Sequence, residues 1–148
     1  MDIIEVEERT PELVHRLVEV WEASVRATHL FLTESEIVRI KKYVPEALYG
    51  VAHLVVANRE DGTPLAFMGV QDGSLEMLFV APDERGHGVG KALIRHGIEA
   101  YDVHTLAVNE QNPQARGFYE HMGFRVVRCT ERDEQGGPYP LLYMELAD

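Results

Sequence analysis

The chain has 148 residues, of which 45% are hydrophobic and 26% charged, enough for one compact core. Its net charge of −11 speaks against a nucleic-acid backbone as partner and favours cationic small molecules or basic peptides. No apolar run approaches the roughly 20 residues of a membrane span, and the acidic start MDIIEVEER lacks the layout of a secretory signal. Cys129 is alone, which excludes an internal disulfide and fits a reducing cytosol, so a cytoplasmic protein is expected.

Residues 2–7 alternate as a first strand. Thr10 caps a helix that Pro11 opens, and Leu13, Leu17, Trp21 and Val25 recur every four residues along one buried face. Thr33 with Glu36 forms a capping box for a second helix, which should stop near Pro45. Residues 51–58, 64–71 and 74–81 read as strands, separated by the turn stretches REDGT and DG. A helix follows over 88–101, a strand over 103–109 and a helix over 112–122. Asn112 caps that last helix, Pro113 opens it and Gly123 lies just past its end. Residues 124–131 and 139–146 are closing strands. Cys129, on the first of these, reads as a buried small hydrophobe. The order βααβββαβαββ places three hairpin-linked strands before a β-α-β crossover. It predicts an α/β (α+β) fold: a mixed sheet with helices on its faces, in a single domain over 1–148.

The stretch RGHGVGKALI, residues 85–94, joins the fourth strand to the next helix. A P-loop would need glycine where Arg85 stands and a hydroxyl where Ala92 stands. A dinucleotide fingerprint would need a third glycine where Lys91 or Leu93 stands, and would follow the first strand. What fits is Arg85-x-x-Gly88-x-Gly90, a run of amides at a helix N-terminus that can cradle a pyrophosphate without a metal.

That loop within LFVAPDERGHGVGKAL, together with the downstream segment NEQNPQARGFYEHMGF, resembles the GNAT superfamily of N-acetyltransferases over essentially the whole chain. The resemblance implies a mostly antiparallel sheet of about seven strands and transfer of acetyl from acetyl-coenzyme A to a primary amine, with no metal. Backbone amides of Gly86, His87, Gly88, Val89 and Gly90 would face the pyrophosphate, Arg85 would shape the loop and Lys91 would add charge. Leu78, Phe79 and Val80 would pair with the pantetheine arm like an added strand, where that strand splays from the fifth. An amide near Phe79 or Val80 would polarise the thioester carbonyl. Asn112 would touch the coenzyme arm as well as capping its helix, and Tyr119 stands at the superfamily's position for protonating the thiolate. The acceptor would lie against Trp21, Ser24, Val25, Thr28, His29 and Phe31, with Tyr139 closing the far side. The acceptor is expected to be a small-molecule or peptide amine, with no nucleic-acid or membrane partner, the protein acting as monomer or homodimer. A non-catalytic acyl-coenzyme A sensor of the same fold is the alternative, and Tyr119 favours the enzyme.

An acceptor amine with a pKa of ~10.4 must shed a proton before it attacks. Glu76, in the middle of a predicted central strand on the face of Leu78 and Val80, is the first candidate base, its pKa raised by burial. The competing reading has Glu76 in solvent, attracting cations. His29 and His104 are the other titrating candidates, although a lone histidine in an apolar pattern is more often a packing residue.

Overall fold

The N-terminal helix begins where the cap chemistry places it. In the computed structural model, which describes residues 1–147, β1 spans Asp2–Glu5 and α1 spans Pro11–Thr28. The Thr10 hydroxyl accepts a hydrogen bond from the Leu13 amide at 3.1 Å. Thr10→Ala should cost about 1 kcal/mol of stability, read as a lowered urea midpoint at unchanged slope. Along α1 the stripe Val14, Leu17, Val18, Trp21 and Val25 is buried.

The capping box of Thr33 and Glu36 opens α2, Glu34–Lys41, with the Glu36 carboxylate accepting from the Thr33 amide at 3.0 Å. The chain then departs from expectation. Pro45 does not end α2 but sits in the first turn of a third helix, α3, Val44–Gly50. Its missing N–H costs nothing there, because first-turn amides have no intrahelical partner.

Six further strands follow: β2 His53–Asn58, β3 Pro64–Gln71, β4 Ser74–Val80, β5 Thr105–Asn109, β6 Phe124–Thr130 and β7 Leu141–Leu146. A 3-10 turn, Pro82–Glu84, leads into α4, Val89–Tyr101, and α5 spans Pro113–His121. The seven strands form one sheet in the order β1-β2-β3-β4-β5-β7-β6. Every pairing is antiparallel except β4 with β5, which the α4 crossover makes parallel. The mostly antiparallel seven-stranded sheet with helices on both faces is as expected, with α3 and the 3-10 turn added.

The faces carry separate cores. Met68, Leu93, Ile94, Leu106, Tyr119 and Met144 belong to the α4 and α5 side. Leu17, Trp21, Val25, Leu48, Leu54 and Phe67 belong to the α1 to α3 side. Central β3 feeds both and is buried from Pro64 to Val70. Cys129 is exposed, against the expectation of burial. It lies on β6, the outermost strand, past the register shift at Val127. Among the described residues no helix is long and apolar enough to cross a membrane.

Candidate functional site

Strand β4 is irregular in two ways, and together they open a cleft. Leu75 pairs with Val70 and Met77 with Gly69, so Glu76 is an extra residue, a β-bulge. On the other side β4 pairs with β5 only at Ser74 with Thr105 and Leu75 with Leu106. Past these two pairs the strands part. From Leu78 to Val80 the backbone is paired with β3 alone, and its β5-facing edge has no strand beside it. The cleft here has a volume of about 620 Å³, in the range of small-molecule sites.

Leu78, Phe79 and Val80 line this cleft, joined on one wall by Arg85, Gly86, Gly88, Val89, Gly90 and Lys91. Gly86 and Gly88 take left-handed φ values of 79° and 80°. A Cβ built on either meets nothing within 4 Å. Gly88 is the N-cap of α4 and supplies no side-chain partner to its first amides, which stay available to an anion. His87 departs from its expected place. It does not line the cleft: its amide donates to the Glu84 carbonyl at 3.4 Å and its side chain is exposed. Glu84 is itself ion-paired to Arg59, which ties the 3-10 turn to the end of β2.

Helix α5 forms the opposite wall with Asn112, Ala115, Phe118 and Tyr119. The buried Asn112 accepts from the Ala115 amide at 3.2 Å, so it caps α5 and lines the cleft at once. Tyr119 is 9% exposed and packs edge-on against Phe118 and Phe124. Its hydroxyl has no protein hydrogen-bond partner among the described residues, and burial pushes the phenol well above its ordinary pKa.

The last turn of α1 supplies Ser24, Thr28 and His29. Trp21 and Val25 are core instead, 5% and 2% exposed on the α1 to α3 side of the sheet. The two pairs occupy adjacent helical rows, and only the row of Ser24 and Thr28 borders the cleft. Phe31 and Tyr139, expected beside the acceptor, lie outside the cleft lining: Phe31 stands between His29 and Tyr139, with ring centroids 5.4 and 5.9 Å away.

Glu76 is exposed and lies outside the cleft lining. The bulge breaks the strand alternation: Leu75, Leu78 and Val80 pack on the α4 side, whereas Met77 and Phe79 pack on the α1 side. Face-sharing with Leu78 and Val80 therefore does not follow from sequence spacing. Partial desolvation, with Glu134 and Asp72, raises the Glu76 carboxyl above its usual value. His104 lies at the start of β5, bonded to the Asp102 carbonyl at 2.8 Å, and is not part of the cleft. The cleft also takes in Gln114 and His121, which sequence reasoning did not mark. Both are polar neighbours of the apolar Ala115–Phe118–Tyr119–Met122 row, so no hydrophobic period signals them.

An open β4 edge facing a left-handed glycine loop, in a mostly antiparallel sheet with one parallel pair, is the architecture of the acetyltransferase class. The family model described as "Acetyltransferase (GNAT) domain" matches residues 32–146, and the chain belongs to this family. It is 40% identical over 145 residues, 95% of each protein, to a "Peptidyl-lysine N-acetyltransferase YjaB" of Escherichia coli strain K12. The solution structure of apo-form YjaB from Escherichia coli superposes with a TM-score of 0.88 at 38% identity over 99% of each chain. The PaiA N-acetyltransferase from Thermoplasma acidophilum, crystallised in complex with coenzyme A, shares the fold at 20% identity, with a TM-score of 0.71 over 98% of this chain and 99% of that one.

Proposed function

We propose that the chain acts as one domain over 1–148, transferring acetyl from acetyl-coenzyme A directly to the side-chain amine of a peptidyl lysine within a ternary complex. The observation that carries this reading is the open edge of Leu78–Val80, flanked by the Gly86 and Gly88 amide loop and by Tyr119. An extended pantetheine arm satisfies such an edge as an added strand would, while the free amides at the start of α4 take the pyrophosphate. Arg85 and Lys91 supply positive charge beside it, and Asn112 lies within reach of the arm. The residues present fit the coenzyme.

In this scheme the amine nitrogen attacks the thioester carbon, a β4 amide near Phe79 or Val80 stabilises the oxyanion, and the thiolate leaves with a proton from Tyr119. Cys129 is exposed on β6, outside the cleft lining, which supports direct transfer over an acyl-cysteine intermediate. A peptidyl lysine is favoured by the name of the 40% identical relative and by the −11 charge. Glu134 and Asp72 act electrostatically on Glu76, and together the three carboxylates would draw a cationic side chain towards the bulge of β4. The protein would work in the cytoplasm, as monomer or homodimer.

The test is thiol release from acetyl-coenzyme A with a panel of lysine peptides, polyamines and aminoglycosides, alongside thermal unfolding. Acetyl-coenzyme A should stabilise the fold by about 2.7 kcal/mol at a hundredfold excess over its dissociation constant, while ATP and NAD leave it unchanged. Lysine peptides should release thiol fastest. Equal stabilisation by ATP would remove the loop assignment. Binding without thiol release for any amine would make the protein a sensor.

A further inference from the structure

The end of α1 carries an ordered chain of hydrogen bonds that the transfer scheme above leaves unused. The Thr28 hydroxyl donates to the Ser24 carbonyl at 2.7 Å. A hydroxyl has one proton to give. With it committed, the 2.8 Å contact between Thr28 Oγ1 and His29 Nδ1 has Nδ1–H as donor. The neutral ring then carries its proton on Nδ1 and presents Nε2 as a bare acceptor. The backbone holds the residue as well, because the His29 amide closes the helix on the Val25 carbonyl at 2.8 Å. The imidazole packs between Phe31 and Phe79, the latter in the open stretch of β4.

We propose that His29, oriented by Thr28, is the general base of the reaction, taking a proton through Nε2 from the attacking amine nitrogen. The inference rests on the acetyl-transfer reading. The acceptor enters with its ammonium proton already lost to solvent. As the C–N bond forms, the carbonyl π pair moves to oxygen and the nitrogen, now cationic, becomes a strong acid. His29 Nε2 takes one of its N–H protons. The C–O double bond re-forms, the C–S bond breaks with its electron pair on sulfur, and the thiolate takes the Tyr119 proton. Through solvent, the imidazolium proton then restores the Tyr119 phenol. One proton is released overall, the one shed by the ammonium.

The electrostatic setting supports the role. Burial lowers the His29 pKa below its ordinary 6.5, and the Arg85 charge lowers it further, so the ring is neutral at physiological pH. The other titratable groups on the cleft wall are Glu84, Lys91, Tyr119 and His121. Thr28, Phe31 and Phe79, which pack on the ring, carry no charge. Glu76, the alternative base, lies outside the cleft lining.

The experiment compares wild type with His29→Gln, using a lysine peptide and acetyl-coenzyme A from about pH 5.5 to 9, with coenzyme affinity measured separately. The variant should lose about 100-fold in kcat/KM for the peptide above pH 7, with affinity for acetyl-coenzyme A held within about twofold. In the wild type, log kcat/KM should fall with a slope of one as the amine protonates, then steepen to two below the imidazole pKa. His29→Gln should keep a slope of one throughout. Thr28→Val should lower the rate and Thr28→Ser restore it, because only the hydroxyl selects the tautomer. An unchanged rate and profile in His29→Gln overturns the proposal. So does a loss of coenzyme affinity in step with the rate, which makes His29 a coenzyme contact. A wild type that acetylates no amine fails the transfer reading itself, whereas an active wild type with an equally active His29→Gln overturns this inference alone.

Discussion

Replacing Tyr119 by phenylalanine is expected to slow acetyl transfer about 100-fold while leaving the fold and coenzyme affinity intact. A thiol pKa of ~8.5 lies below a phenol's ~10, so proton transfer from an ordinary tyrosine to the thiolate is uphill by about 1.5 units, or roughly 2 kcal/mol. Burial raises the Tyr119 phenol further and makes it a still weaker acid. The same dry wall acts on the leaving group: a thiolate expelled beside Phe118 and Tyr119 is also poorly solvated, and its proton affinity rises. The two shifts act in opposite senses on the transfer, and the uphill step places the expected benefit at the low end of the 10²–10⁴-fold range for a positioned acid. Phenylalanine keeps the ring packing on Phe118 and Phe124. Because the hydroxyl has no protein partner among the described residues, its removal strands no buried group. The loss should appear in single-turnover rates and should shrink with aryl thioesters, whose leaving groups need no proton. A wild-type single-turnover rate would reduce Tyr119 to a packing residue.

The stabilisation conferred by acetyl-coenzyme A should vanish in Gly88→Val and in Gly90→Val, for different reasons. Gly88 has φ 80°, where a β-branched residue is strained, and a side chain there enters open cleft space. Gly90 has no such strain. A Cβ at 90 lies 3.6 Å from both Val80 Cγ2 and Phe118 Cζ, ordinary contact, so alanine fits. The two γ-methyls of valine do not, and they wedge α4 against the walls of the slot. The unliganded variants will melt lower, so the quantity to read is the difference between liganded and unliganded midpoints. About 2.7 kcal/mol at a hundredfold excess in the wild type should become nearly zero in both variants, while Gly90→Ala retains most of it. Retained stabilisation in both valine variants would show that the glycines shape a turn and nothing more.

Features set by local chemistry were legible in the sequence. Thr10, Thr33 with Glu36, and Asn112 all make their caps with residues within three positions along the chain. Pro45 misled because proline both follows helix ends and opens helix starts, and only the short turn after Lys41 decides between them. Non-local geometry decided the rest. The bulge at Glu76 exists only in register with β3, so alternation along one strand cannot show which way that carboxylate points. The exposure of Cys129 follows from β7 inserting between β5 and β6, which leaves β6 at the rim. Periodicity identifies a buried face on α1 but not which of its rows borders a cavity, so it cannot separate the core residues Trp21 and Val25 from the cleft residues Thr28 and His29. The cleft arises from a parallel pairing only two residues long, which no motif encodes directly.

That short pairing also divides the protein mechanically. On one side of it lie β1 to β4, and on the other β5, β7 and β6, each set laced by ladders of four or more registered pairs. Between them the main chain is stitched only at the Ser74 and Leu75 pairs and by the His104 amide, which donates to the Gly73 carbonyl at 2.9 Å, with α4 as the strap that carries the chain across. Load applied across the sheet should therefore concentrate on this seam, where the fewest main-chain pairs share it. On the proposed reading, a pantetheine arm seated along Leu78–Val80 would act as a splint, so the substrate would also brace the line where the sheet is least tied.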